Sequence, residues 1–224
     1  TLFQAVEGAA GLRKRIDELR AEASAAIQAG SSILVLSDRG GSRELAAVPA
    51  LLATAAVHHQ LVNEGTRTRC GLVVETGEAR EVQHFATLTG YGAGAVNPYL
   101  AFATIDQMQA ERMIDADIPR EKLHANFVKA VTKGLLKVMS KMGISTQQSY
   151  RGAQIFEAVG LEQAFINEFF TRTPSRIGGI GLAAVAEETL RRHEHAWPQT
   201  NVPQTLELDV GGRYAWRRKG EAHV

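Results

Sequence analysis

Apolar residues recur along this chain in two alternating rhythms, and the alternation predicts the architecture. Between residues 9 and 29, Leu12, Ile16, Leu19, Ala23 and Ile27 recur at three- and four-residue intervals. They form one face of an amphipathic helix, and Gly30 supplies its stop. Ile33-Leu34-Val35-Leu36 follows, an unbroken apolar run of the kind shown by a parallel strand buried on both faces. It ends abruptly at Ser37-Asp38-Arg39-Gly40-Gly41. The rhythm then repeats. Pro49 to Val62 reads as a helix with proline near its first turn, closed by Gly65, and Arg69 to Glu75 reads as the next strand. From Ala79 onward, Val82, Phe85, Ala86 and Thr89 take helical spacing until Gly90-Tyr91-Gly92 breaks it. Ala93 to Val96 makes a third, short strand, and Asn97-Pro98 opens a helix at Tyr99. Strand–helix alternation with short links implies parallel strands and right-handed crossovers, an α/β fold.

The longest helix is predicted at about 120 to 142. Val128, Val131, Leu135, Val138 and Met142 step along one face, with Lys129, Lys133, Lys137 and Lys141 on the other. Gly143 caps it, Ile144-Ser145-Thr146 reads as a strand start, and Arg151 to Val159 as a further helix. After Thr173-Pro174, Ser175 to Gly181 reads as a loop and Leu182 to His195 as one more helix. From Trp197 the chain is polar and irregular, a connector that needs a neighbour to pack against.

Composition narrows the function classes. With 25 basic and 24 acidic residues the net charge is +1, so nothing pulls the chain toward nucleic acid or an anionic membrane. No apolar run approaches the roughly 20 residues of a membrane-spanning helix. The first residues lack the layout of a signal peptide, and a cytoplasmic location is expected. A single cysteine, Cys70, allows neither an internal disulfide nor a multi-thiolate metal site, and its strand context reads as a small buried hydrophobe.

Ser37-Asp38-Arg39 is the strongest candidate site on fold grounds, because ligands of parallel α/β proteins sit beyond the carboxyl ends of the strands. A carboxylate and a guanidinium there would orient a polar substrate; the alternative is an ion pair that closes a loop. Gly90-Tyr91-Gly92-Ala93-Gly94 would let backbone amides approach a phosphate or another chain, although its spacing is not that of the dinucleotide fingerprint. Ser175-Arg176-Ile177-Gly178-Gly179 reads either as a phosphate loop or as a turn. The lysine stripe reads as a solvated face, with Lys141 set apart by its place near Ser145 at the helix end. Neither His58-His59 nor His193 with His195 has the spacing of a zinc site, so no metal is expected.

Together these motifs resemble the central domain of the glutamate synthase large subunit. The resemblance runs through Ile33 to Arg39, Val48 to Ala53, Val57-His58-His59 and Gly65 to Arg69. It continues in His84-Phe85-Ala86, Gly90 to Ala93, Val96 to Ala101, Lys133 to Ser145 and Ser149 to Ala158. Arg217-Arg218 and Gly220 to His223 are similar to that family's entry into its flavin domain.

The resemblance implies an incomplete parallel (β/α) barrel-like domain over residues 1–165. Residues 166–224 would be a mostly helical and irregular connector leading into an FMN-binding domain. It implies a parent enzyme in which an amidotransferase domain hydrolyses glutamine and ammonia passes through a tunnel. The ammonia then condenses with 2-oxoglutarate, and reduced FMN, fed by an iron–sulfur cluster, supplies hydride to give glutamate. The family's nucleophilic cysteine, flavin site and cluster cysteines match no position here. No catalytic, cofactor-binding or metal residue is therefore expected on this segment. Its expected partners are the amidotransferase and FMN domains of the same polypeptide, with a small NADPH-oxidising subunit or ferredoxin as electron source. Ser37, Asp38, Arg39, Gly90, Tyr91, Gly92, Ala93, Lys141, Ser145 and Arg151 are the expected tunnel or interdomain residues. The alternative is a stand-alone flavin- or phosphate-binding barrel. An incomplete barrel leaves a strand edge and an apolar face open, so the isolated chain is expected to self-associate.

Overall fold

The computed structural model of the chain describes residues 1–198. In chain order its elements are β1 (Leu2–Gln4), α1 (Gly8–Gln28), β2 (Ile33–Ser37), β3 (Leu45–Ala47), α2 (Ala50–Asn63), β4 (Gly71–Glu75), α3 (Val82–Gly90) and β5 (Ala95–Asn97). There follow α4 (Tyr99–Ala110), α5 (Arg120–Lys141), α6 (Gln147–Tyr150), β6 (Ala158–Leu161), α7 (Gln163–Phe169), β7 (Ser175–Ile180) and α8 (Leu182–Ala196). The strands form three separate sheets, an antiparallel pair β1-β3, a parallel sheet β2-β4-β5 and a parallel pair β6-β7. Among the described residues no barrel closes, and the architecture is the incomplete parallel α/β arrangement expected.

The central sheet is in register. Leu34 lies beside Leu72 and Leu36 beside Val74, while on the alternate face Val35 lies beside Val73 and Ser37 beside Glu75. Val73 and Glu75 are in turn paired with Ala95 and Asn97. Because successive side chains of a strand point to opposite faces, one face gathers Leu34, Leu36, Leu72 and Val74, all buried. Leu34, Leu36 and Leu72 share one core with Leu12, Ile16 and Ile27 of α1 and with Ala53, Val57 and Leu61 of α2. Phe165, Ile166 and Phe169 of α7 and Ala186 of α8 join the same core. Arg13 and Arg20 of α1 both bond Glu168, and both guanidiniums lie over the Phe169 ring, which pins α7 to α1. A second, smaller cluster packs Val74 against Phe85 and Leu88 of α3, with Phe127 and Val131 of α5 outside them.

The other face of the sheet is bare. Ile33 and Val35 are 63% and 58% exposed, so the strand read as buried on both faces is covered on one only. Among the described residues the helices back a single face of the sheet, and the opposite face is left open at Ile33 and Val35.

Four further expectations differ from the structure. Ile144 to Thr146 is not a strand; Thr146 caps the short helix α6, its hydroxyl accepting from the amide of Ser149. Arg151 to Val159 is not a helix, because Gly152 (φ 68°) and Gln154 (φ 56°) take left-handed backbone that ends helical propagation. Ser175 to Gly181 is mostly a strand, β7, paired in parallel with β6. Cys70 sits one residue before β4 rather than within it, and is buried as expected. The irregular tail, with its flavin-domain resemblance at Arg217 to His223, lies outside the described residues apart from Trp197 and Pro198.

The bare face predicts the behaviour of two substitutions. Val35→Lys should leave stability to urea within about 0.5 kcal/mol of the parent chain while reducing self-association in sedimentation velocity. Leu72→Ala, on the covered face, should cost roughly 2–5 kcal/mol. Unchanged self-association in the Val35 variant would remove the bare face as its cause.

Candidate functional site

At the carboxyl end of the central sheet, strand alternation sorts the candidate residues between two networks. Ser37, Glu75 and Asn97 end their strands side by side on the bare face. Glu75 is the hub. One carboxylate oxygen accepts from the Ser37 hydroxyl at 2.6 Å; the other accepts from Arg39 Nε at 2.7 Å and Asn97 Nδ2 at 3.1 Å. The Ser37 hydroxyl and the Arg39 guanidinium hold the Glu75 carboxyl below the usual carboxylate range. The Arg39 guanidinium also lies over the Tyr99 ring, 4.1 Å from its centroid.

Asp38 belongs to the second network and is buried. It accepts from the Thr76 hydroxyl at 2.6 Å and from the Gly77 amide at 3.0 Å, while Thr76 Oγ1 accepts from the amide of Glu78. Asp38 thus ties the loop after β2 to the loop after β4. Burial and the adjacent Asp38 carboxyl push the Tyr99 phenol up to about 12. The bare-face layer is an anionic acceptor flanked by an amide, a hydroxyl and a guanidinium, suited to holding small polar or cationic species. An ionised Glu75 leaves it without a general acid at neutral pH.

Gly90, Tyr91, Gly92 and Ala93 lie at the opposite, amino end of the same sheet, just before β5. Arg67 organises this end: Nε donates to His58 Nδ1 at 2.9 Å, and its two terminal nitrogens donate to the carbonyls of Cys70 and Gly92 at 2.8 and 2.7 Å. Gly92 (φ 119°) passes so close to α2 that a Cβ would collide with the His58 ring. The loop's amides are all engaged: Tyr91 N donates to Thr87 O, Gly92 N to Thr89 O, Ala93 N to Leu88 O and Gly94 N to Leu72 O. No donor is left for a phosphate, so the glycines serve close packing. Burial, then the charge of Arg67, His59 and Arg151, lowers His58 to about 4.

Arg151 joins this end, since the amide of Gly152 donates to Gly90 O and a Cβ on Gly94 would touch the Arg151 guanidinium. Ala93 is 1% exposed, within the core around Val74 and Phe85. Lys141 and Ser145 are exposed at the far end of α5 and reach neither network. The ten candidates therefore form no single site. Glu75, Asn97 and Arg67 went unassigned in the sequence, although Glu75 and Asn97 mark where their strands stop, as Ser37 does.

The comparisons with known proteins extend this picture. Residues 1–162 match the family model described as the glutamate synthase central domain. The chain belongs to this family. It is 48% identical over 213 residues to a glutamate synthase [NADPH] large chain of Bacillus subtilis, covering 95% of this chain and 14% of that protein. It is also similar to a glutamate synthase [NADH] of Schizosaccharomyces pombe, 42% identical over all of this chain and 11% of that one. A ferredoxin-dependent glutamate synthase of Pyropia yezoensis is 41% identical over all of this chain and 15% of that protein. The chain thus spans between about a tenth and a seventh of the relatives it matches.

Among the described residues, neither redox group that the resemblance implies for the parent enzyme fits the lone cysteine or the glycine-rich candidates. An iron–sulfur cluster needs several thiolates, and the chain has the one buried cysteine. A flavin phosphate needs free backbone or cationic donors in a cradle. The Gly90–Gly94 amides are spent, and the Ser175–Gly179 stretch is paired as β7.

Two measurements follow. The Glu75 carboxyl is lowered on folding, so its contribution is fully present above the unfolded value near 4.5 and fades as pH falls through the folded value. The stability difference between the parent chain and Glu75→Gln should hold at neutral pH and shrink below about pH 4.5; a constant difference down to pH 3 would refute it. His58 is likewise lowered, so the parent chain should lose stability from pH 6.5 toward 4. His58→Gln, whose amide oxygen can accept from Arg67, should flatten that part of the profile, and an unaltered slope would assign it elsewhere.

Proposed function

We propose that this chain is the non-catalytic central module of a glutamate synthase large chain. In this reading it joins a glutamine-hydrolysing domain to an FMN domain in which ammonia and 2-oxoglutarate become glutamate, and it walls part of the path the ammonia takes. The observation that carries the reading is the bare face of the β2-β4-β5 sheet. Its lower layers, Ile33, Val35 and Val73, are apolar, and its top layer is the Ser37–Glu75–Asn97 network. The helices back only the opposite face, which is the geometry of a barrel wall whose interior is completed by other parts of a longer polypeptide. That the chain covers so little of each relative supports the same view.

Within this reading the path runs past the carboxyl-end layer, where Asn97 and Ser37 offer hydrogen bonds to uncharged ammonia. Ala95, exposed on the same face, is the place to obstruct it. In the full-length enzyme, Ala95→Trp should leave glutamine hydrolysis in place while glutamate formed per glutamine hydrolysed falls below the parent ratio. An unchanged ratio would sink the tunnel role and leave only the connecting one.

A further inference from the structure

A cavity of about 330 Å³ opens beside the amino end of the sheet, between α2, the Gly90–Tyr91 turn, the segment from Tyr150 to Phe156 and the turn Thr171–Thr173. This is within the range of small-molecule sites, roughly 300–1,000 Å³. It is remote from the Ser37–Glu75–Asn97 layer, and the connecting role makes no use of it.

Its lining is one-sided in charge. Among the described residues that form it there is no carboxylate, and Arg172 is the one guanidinium. His58 stands in the wall as a neutral ring; since Nδ1 accepts from Arg67, Nε2 carries the proton and is a donor. Asn63 and Gln154 add amides. The apolar part of the wall includes Val62, Ala153, Ile155 and the Phe156 ring, which is stacked on Tyr91 at 5.8 Å.

Backbone conformation marks the same place. Three non-glycine residues of the described chain have positive φ, and two of them, Gln154 (φ 56°) and Arg172 (φ 65°), line this cavity from opposite segments. Such conformations are unfavourable for L-residues and concentrate where a side chain must be held toward a ligand. We propose that the cavity binds a small organic carboxylate with an apolar body, the size of a hydrophobic amino acid. Arg172 takes the carboxylate and Phe156 with Ile155 takes the body. The amides of Tyr91 to Gly94 beside the cavity are already bonded, and the one cation among the described residues of its lining is Arg172.

The test is calorimetric titration of the 224-residue chain with phenylacetate and with its neutral isostere phenylacetamide. Phenylacetate should bind at least about tenfold more tightly, the value of a charge-assisted bond. Arg172→Asn should bring phenylacetate down to the level of the amide; asparagine tolerates the left-handed backbone, so the turn should be kept. Amide NMR shifts on addition of phenylacetate should centre on Tyr91, Gln154 and Phe156. Equal affinity for acid and amide, no binding of either at about 10 mM, an unaffected Arg172 variant, or shifts centred elsewhere would each overturn the proposal. Should the Arg172 variant misfold, the acid–amide comparison on the parent chain decides alone.

Discussion

The parallel register that sets Leu34 beside Leu72 and Leu36 beside Val74 is the constraint on which the rest of this domain depends. Those four side chains are the sheet's contribution to the cores beneath it, and a one-residue slip would turn them all to the wrong face. Once they face inward, Ile33, Val35 and Val73 must face outward, and Ser37, Glu75 and Asn97 must finish level with one another. The bare apolar surface and the polar layer above it are two consequences of one pairing. Apolar matter on that face is not a failure of folding. In the proposed reading it is an interior that other parts of a longer polypeptide complete.

The same alternation explains why Ser37-Asp38-Arg39, contiguous in sequence, does not act as a unit. Ser37 and Arg39 reach Glu75 on the bare side, while Asp38 bonds Thr76 and Gly77 and closes the loop beneath. Asp38 closes the loop through hydrogen bonds to Thr76 and Gly77, with no cation as partner among the bonds it makes there, while Ser37 and Arg39 meet at Glu75.

Periodicity made α1, α2, α3, α5 and α8 legible, because each carries apolar residues at helical spacing over a long enough run. It failed where glycine or left-handed backbone intervenes. Gly178 and Gly179 make β7 look like a loop, yet a Cβ on Gly179 would collide with the backbone of Gly160 on β6. There glycine permits strand pairing instead of interrupting it. Ile155, Phe156 and Val159 have spacings a helix would use, but Gly152 and Gln154 remove the backbone for one. Arg67 gave no local signal. Its three acceptors, His58 Nδ1 and the carbonyls of Cys70 and Gly92, come from three separate segments that only the fold assembles.

The two ends of the sheet differ in what they leave available. At the amino end Arg67 is partly buried, and burying a guanidinium is tolerable because each of its three nitrogens has an acceptor. That arrangement, together with the ladder from Tyr91 to Gly94, uses up the backbone groups that would otherwise serve as an anion nest. The glycine-rich loop itself therefore offers no nest for a phosphate. At the carboxyl end the bare-face network keeps its contacts among side chains, and Glu75 has lone pairs beyond its three donors. A glycine-rich loop and a strand-end carboxylate thus carry opposite meanings from those their sequences suggest. The loop is closed to ligand by its own hydrogen bonds, and the carboxylate, overlooked at the end of β4, is the group that faces outward.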